Sequence, residues 1–153
     1  MIEKACCVTG HRTIPVDRLA YVEMELRKAI MAAVNDGYTR FISGGAVGTD
    51  LLFAAIVAEM KEQGHRLFLE AALPYSNRKK SKDSDFQKML AACDAVKVIS
   101  ERYNRGCYFA RNRYMVNESS RIIAVYDGRE SGGTFYTIQY ARAGGKVVQV
   151  IKI

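Results

Sequence analysis

The sequence predicts an α/β fold: a doubly wound, mostly parallel six-stranded sheet with helices on both faces. Three observations predict it. Short apolar runs alternate with amphipathic helical stretches along the whole chain. Several of those runs are apolar without a polar alternation, as in strands covered on both faces. Two strand-to-helix turns carry a glycine pair, Gly44-Gly45 and Gly132-Gly133.

The elements follow in order. Ala5-Cys6-Cys7-Val8 forms the first strand. Pro15 and Asp17 open a helix in which Leu19, Val22, Leu26, Ala29, Ile30 and Ala33 share one face, and Gly37 stops it. Phe41-Ile42-Ser43 is the second strand and runs into Gly44-Gly45-Ala46-Val47-Gly48-Thr49-Asp50, followed by an apolar helix from about Leu51 to Lys61. Leu67-Phe68-Leu69 begins the third strand, closed by Leu73-Pro74. Ser81 to Ala92 reads as a helix with Phe86, Met89 and Leu90 on one side, and Ala95 to Ile99 as the fourth strand. A helix over Cys107 to Asn117, a strand over Ile122 to Tyr126, a helix over Thr134 to Ala143 and a strand over Val147 to Ile151 complete the chain. The commonest order of six such strands, 3-2-1-4-5-6, puts the crevice between strands one and four.

With 153 residues the chain is expected to be a single domain over 1–153. Its 49% hydrophobic and 25% charged content excludes wholesale disorder. No apolar stretch is long enough to span a bilayer and no signal peptide is evident, so a cytoplasmic location and no membrane partner are expected. Lys and Arg number 23 against 16 Asp and Glu, a net charge of +7 that suits an anionic partner. Four cysteines without a C-x-x-C pair and only two histidines give no zinc spacing, and no metal is expected.

In a doubly wound sheet, ligands bind outside the carboxyl ends of the strands. Four loops fall there: Thr9-Gly10-His11-Arg12, Ser43 to Asp50, the Arg/Tyr-rich segment Arg102 to Arg113, and Ser131-Gly132-Gly133-Thr134. In the assumed order all four face one cleft. Glycine lets backbone N–H groups approach an anion, and a helix N-terminus adds unpaired donors, so phosphate is the natural guest of both glycine-pair loops. The standard nucleotide motifs are missing: neither G-x-x-x-x-G-K-[ST] nor a G-x-G-x-x-G after the first strand occurs. G-x-S-x-G is absent too.

Asp50 has two readings of equal weight, helix capping or acceptance of hydrogen bonds from ribose hydroxyls or a base. Arg111 and Asn112 read as ligand residues, a bidentate fork for phosphate beside an amide that can read a base edge. Tyr108 and Phe109 read as core. His11 reads as a ligand-contacting or structural residue rather than a general base, since no nucleophile accompanies it. Arg78 to Lys82 reads as a solvated basic loop.

Taken together, these residues resemble a known family. Val8-Thr9-Gly10-His11-Arg12, Phe41-Ile42-Ser43-Gly44-Gly45-Ala46-x-Gly48-x-Asp50, Leu73-Pro74-Tyr75, Arg111-Asn112-x-Tyr114-Met115-Val116 and Gly132-Gly133-Thr134 are similar to the YpsA-like branch of the SLOG superfamily. This branch was long described as a domain of unknown function. The superfamily also holds the Lonely Guy phosphoribohydrolases and the Rossmann-like domain of DprA. The resemblance covers nearly the whole chain. It implies a Rossmann-like domain that binds or senses a nucleotide or nucleotide-derived ligand, with ADP-ribose- or NAD-like molecules proposed for the superfamily. The site it implies is lined by the Ser43 to Asp50 and Gly132 to Thr134 loops. The full candidate set is Thr9, Gly10, His11, Arg12, Ser43, Gly44, Gly45, Ala46, Gly48, Asp50, Arg111, Asn112, Gly132, Gly133 and Thr134.

One departure from the superfamily concerns catalysis. Lonely Guy enzymes carry P-G-G-x-G-T-x-x-E with a catalytic glutamate, and aligning the threonines puts Thr137 in its place. Whether the chain is an enzyme therefore stays open. A hydrolase of the Lonely Guy type and a DprA-like nucleic-acid-binding protein are the alternatives to a nucleotide-binding module. The cofactor is unknown beyond a nucleotide-like ligand, and a homo-oligomer is left open.

Overall fold

The computed structural model describes residues 3–153. Its strands are β1 (Lys4–Gly10), β2 (Tyr38–Ser43), β3 (Phe68–Tyr75), β4 (Ala95–Ser100), β5 (Arg121–Tyr126) and β6 (Val147–Lys152). Its helices are α1 (Leu19–Asn35), α2 (Thr49–Glu62), α3 (Ser84–Ala92), α4 (Cys107–Asn117) and α5 (Gly132–Ala143). All six strands are parallel, in one sheet of order β4-β3-β2-β1-β5-β6.

This order corrects the expected one. The chain steps from β1 through β2 and β3 to β4 at the edge, then returns across the sheet to place β5 beside β1. The reversal of strand order, and with it the crevice, lies between β1 and β5 rather than between strands one and four. The end of β4 is two strands removed from β1. Arg102 and Arg105 are consequently exposed away from the crevice, and only the far part of their segment, on α4, comes back to it.

Period-two alternation sorts the core onto two faces. Cys6 and Val8 point with Phe41, Leu69 and Leu73 toward α1, α2 and α3, where Val22, Leu26, Phe53, Ile56 and Phe86 pack. Ala5, Cys7 and Ile42 point the other way, toward Met115 and Val116 of α4 and Ala141 of α5. The neighbouring cysteines thus lie on opposite faces as free, buried thiols. Burial pushes the Cys7 thiol up to about 12, so it acts as a small hydrophobe and not as a nucleophile.

The edge strands are less covered: β4 is half-exposed and carries Lys97, the kind of charge that discourages edge-to-edge pairing. Among the described residues no helix is long and apolar enough to cross a membrane. None of their His, Cys, Asp and Glu side chains group to hold a metal ion.

Candidate functional site

The carboxyl ends of β1 and β5 diverge into a cleft of about 330 Å³. One wall is the Thr9–Arg12 loop, which ends β1. The α5 wall is Ser131, Gly132, Gly133 and Thr134. The α4 wall is Tyr108, Phe109, Arg111 and Asn112, with Ala46 and Asp50 of the α2 start at the floor.

Two glycine-pair loops were expected to cradle phosphate, and the structure gives them different work. At the start of α2 the backbone N–H groups of Gly45, Ala46, Thr49, Leu51 and Leu52 are already used. Thr49 donates its N–H to the His11 carbonyl, and Leu51 donates to that of Ala46. Gly45 donates to Ser43 Oγ, and Ser43 Oγ donates to the Asp50 carbonyl. The Asp50 carboxylate accepts from Ala46 N–H at 3.2 Å, which places a negative charge where an anion would have to sit.

The glycines of the loops after β1 and β2 admit neighbouring chain. A Cβ on Gly48 (φ +83°) would lie 2.3 Å from the Arg12 carbonyl oxygen, and one on Gly10 2.4 Å from Thr49 Cγ2. A Cβ on Gly45 (φ +73°) would meet Phe86 and Met89 at 3.0 and 3.1 Å, in the core. One on Gly44 would fall 2.6 Å from Arg111 Nη1 and 2.7 Å from Asp50 Oδ2. Of the candidate residues, Ser43, Gly44, Gly45 and Gly48 therefore stand behind the cleft, and the other eleven line it.

The start of α5 is the opposite case. Its N-cap, Ser131, makes no capping hydrogen bond, and open space surrounds the Cβ positions of Gly132 and Gly133. A helix terminus without a cap presents unpaired N–H groups and the positive end of its dipole. Gly132 has φ +91°, which turns the chain sharply into the helix at no steric cost.

Facing this terminus are two buried ionic side chains. Arg111 is 5% exposed and Asp50 8%. Arg111 Nη1 donates to the carbonyls of Gly44 (2.6 Å) and Ala72 (3.4 Å), and Nε donates to Asn112 Oδ1 (2.8 Å). Its Nη2 and the Oδ1 of Asp50 make no hydrogen bond to a described residue, and neither is sealed from solvent. Burial raises the Asp50 carboxyl pKa above its ordinary value, against the opposing pull of Arg111, the Ala46 N–H and Arg12. Burial lowers that of Arg111, against the carboxylate. Each charge is partly compensated by the other, and burying both costs stability.

What brings Arg111 here is the seat of α4 on the sheet. One turn further on, Tyr114 donates its hydroxyl to Glu70 Oε2 at 2.6 Å, and Arg40 Nε and Nη2 donate to Glu70 Oε1 at 3.0 and 2.7 Å. The pairing leaves the buried Glu70 satisfied and fixes the helix across β2 and β3. Burial, followed by this bond to Glu70, pushes the Tyr114 hydroxyl up to about 12.

His11 ties the two sides of the crevice together. Its Nε2 accepts from Asp127 N–H at 3.1 Å and lies 3.2 Å from Asp127 Oδ1. An Nε2 that accepts is unprotonated, and burial lowers the His11 pKa below 6.5, against the pull of Asp127. The sign follows: a folded-state value below the unfolded one favours the fold above about pH 6.5 and withdraws that contribution as pH falls through the depressed value. NMR titration of the His11 ring should give a pKa below 6.5, and His11→Gln should flatten the stability–pH curve in that window.

Tyr108 and Phe109 are not core as the sequence suggested. Tyr108 is half-buried with the guanidinium groups of Arg12 and Arg111 each 5.6 Å from its ring centre, and Phe109 is 53% exposed. Both line the cleft. Arg129 and Ser131 line it too; Arg129 escaped the sequence reading, and Ser131 entered it only as part of the loop before α5. Their nearness to Gly132-Gly133 was the available signal. Arg129 pairs with Asp127 and draws that carboxyl down to about 2.

Comparison with known proteins agrees with this architecture. The family model described as the YspA SLOG family matches residues 6–149. A UPF0398 protein of Bacillus pumilus is 24% identical over 151 residues, covering 90% of this chain and 81% of its own. YoqJ, an SPbeta prophage-derived protein of Bacillus subtilis, is 29% identical over 140 residues, covering 78% of this chain and 81% of its own.

Two solved structures share the fold. DNA processing protein A of Helicobacter pylori, solved for its single-stranded DNA binding mode, superposes with a TM-score of 0.68 at 17% identity. The match covers 96% of this chain and 64% of that one, so this chain spans less than two thirds of that protein. The protein TM1055 superposes with a TM-score of 0.60 at 19% identity, covering 95% and 72%.

Proposed function

This chain belongs to the YspA SLOG family, and on that footing we propose that it binds a nucleotide or nucleotide-derived ligand, such as an ADP-ribose- or NAD-like molecule, in the β1–β5 cleft. The observation that carries the reading is the uncapped start of α5 facing the buried Asp50 and Arg111. A phosphate fits the free N–H groups of Gly133 and Thr134, with Arg12 and Arg129 at the rim. A ribose fits beyond it, its hydroxyls donating to Asp50 Oδ1. By pairing with Asp50 Oδ1 and Arg111 Nη2, the ligand would also offset part of the cost of burying them.

Gly133→Val tests this. The position has open space and φ outside the left-handed region, so the variant folds while its side chain fills the anion's place. Calorimetry with AMP and ADP-ribose should show binding by the parent chain and none by the variant. Equal affinity for both proteins would remove the α5 terminus from the site. The AMP should be recovered intact. Among the described residues Asp50 is the one carboxylate lining the cleft, Thr137 Oγ1 is spent on the Gly133 carbonyl, and Glu130 lies outside. Free adenine in the chromatogram would instead support hydrolysis.

A second reading has its own observation. Tyr75 packs edge-on against Tyr103 and Tyr108 at 5.6 and 6.4 Å, forming an aromatic strip that starts at the cleft and ends at a 65% exposed ring, with Arg12 and Arg111 over Tyr108. Aromatic rings interleaved with cations suit single-stranded nucleic acid, which the Helicobacter pylori protein binds. Salt separates the two readings. An oligonucleotide spanning the strip should lose affinity steeply between 50 and 200 mM salt, by roughly 0.7 log unit per phosphate contact for each decade. A single nucleotide in the cleft should lose little.

A further inference from the structure

Beside the cleft, in the seam between α4 and α5, lies a second cavity of about 390 Å³. It adjoins the cleft, and Phe109 and Asn112 line both. Its character differs. Aromatic side chains dominate it: Phe109 (53% exposed), Tyr136 (50% exposed) and Tyr140. Large apolar rings left half-exposed side by side mark a surface on which a ligand or partner can pack. Phe109 and Tyr136 stand 6.5 Å apart, edge to face, and Phe135 buttresses Tyr136 at 5.4 Å.

Two amides stand among these rings. Asn112 Oδ1 accepts from Arg111 Nε while its amide N–H groups make no hydrogen bond to a described residue, and neither does the Gln139 side chain. A half-exposed ring cluster with free amide donors and acceptors matches the face and the edge of a heterocyclic base. Charged groups play a smaller part: the one ion there, Arg113, is engaged over the Tyr140 ring at 5.3 Å.

The direction of the seam fixes what part of a ligand could reach it. Gly133 lies in the first turn of α5 at the cleft, and Tyr136 is one turn further along, about 5 Å. A group bonded to the outer side of a phosphate at the α5 terminus would therefore enter the seam, while the group on the inner side occupies the cleft.

We infer that the α4–α5 seam is a second subsite, which takes the second base of a dinucleotide whose phosphates lie at the start of α5. The inference rests on the proposed phosphate position in the cleft and narrows its ligand. It favours a molecule with a planar ring on both sides of the phosphates over one, such as ADP-ribose, that ends in a bare sugar.

Diadenosine pyrophosphate and ADP-ribose test it, because they differ by one adenine ring. Calorimetry on the full chain should give roughly tenfold tighter binding of diadenosine pyrophosphate, the gain expected for one stacked base. Tyr136→Ala should erase the difference and leave ADP-ribose affinity unchanged, and Tyr136→Phe should keep it. Tyr136 is half-exposed, so neither substitution threatens the fold. Equal affinity of the two probes for the parent chain would overturn the seam subsite while the cleft reading stood. So would a difference that survives Tyr136→Ala. Failure of both probes and of AMP to bind would overturn the cleft reading and the subsite with it.

Discussion

Replacing Arg111 by Met should remove ligand binding and lower stability by about 3 kcal/mol together. The methionine keeps the length of the side chain but none of its donors. The Gly44 carbonyl, which accepts from Arg111 Nη1 at 2.6 Å, and Asn112 Oδ1 each lose a charged partner. Asp50 loses the cation that offsets its burial. Lost charge-assisted hydrogen bonds cost about 1.5–3 kcal/mol, and a buried charge left without compensation costs more. In a chain of this size that is a fall of about 6–12 °C in the melting midpoint. Arg111→Lys is the informative companion. It keeps the positive charge beside Asp50 and so most of the stability, but it lacks the planar fork whose Nη2 faces the cleft. Calorimetry should then show weak binding in a well-folded variant. If Arg111→Met melts with the parent and binds AMP as well, Arg111 is not the residue that joins the fold to the site.

Gly48→Ala should cost at least about 4 kcal/mol, more than any substitution at the surface of the cleft. Two effects add. The glycine sits at φ +83° and ψ −123°, a conformation that a side chain strains by about 1–3 kcal/mol. The new Cβ would also lie 2.3 Å from the Arg12 carbonyl oxygen and 2.8 Å from that of His11, both backbone atoms that cannot swing aside. The β1 loop would have to lift off the start of α2, breaking the bonds from Thr49 N–H and Oγ1 to the His11 carbonyl. Gly64→Ala is the control. It too has a left-handed φ (+99°) but nothing within 4 Å, so it should show the strain alone, about 1 kcal/mol. Chemical denaturation of the three proteins measures both terms. A Gly48→Ala chain no less stable than Gly64→Ala would mean that the two loops have room to separate.

These two positions illustrate what could be read before the fold was known. Arg111 stood out as a ligand candidate because it lies among arginines with no acidic neighbour, a pattern visible in the chain itself. That it also holds the Gly44 carbonyl was not visible, since those residues are 67 positions apart. Gly48 was legible as part of a glycine-rich turn, but not as the point where the β1 loop crosses. A glycine's meaning depends on what stands opposite the missing Cβ. Around Gly48 that is the backbone of Arg12, and around Gly133 it is open space, although both glycines occur in similar strand-to-helix turns.

Every strand and α-helix was legible in the chain, because apolar periodicity and the Gly and Pro stops act over a few residues. Even α4, whose pattern is weak, spans Cys107–Asn117 as its residues suggested. Which loops converge was settled only in three dimensions. Strand order depends on pairings between distant segments, and β5 lies beside β1 because α4 carries the chain back over the sheet and is seated there by Glu70, Arg40 and Tyr114. That return puts Tyr108 and Phe109 at the cleft instead of in the core and leaves Arg102 and Arg105 outside it. It also leaves the start of α5, more than that of α2, with unengaged donors. The physical reason is the same in each case: local sequence selects the conformation of a segment, and only packing selects its neighbours.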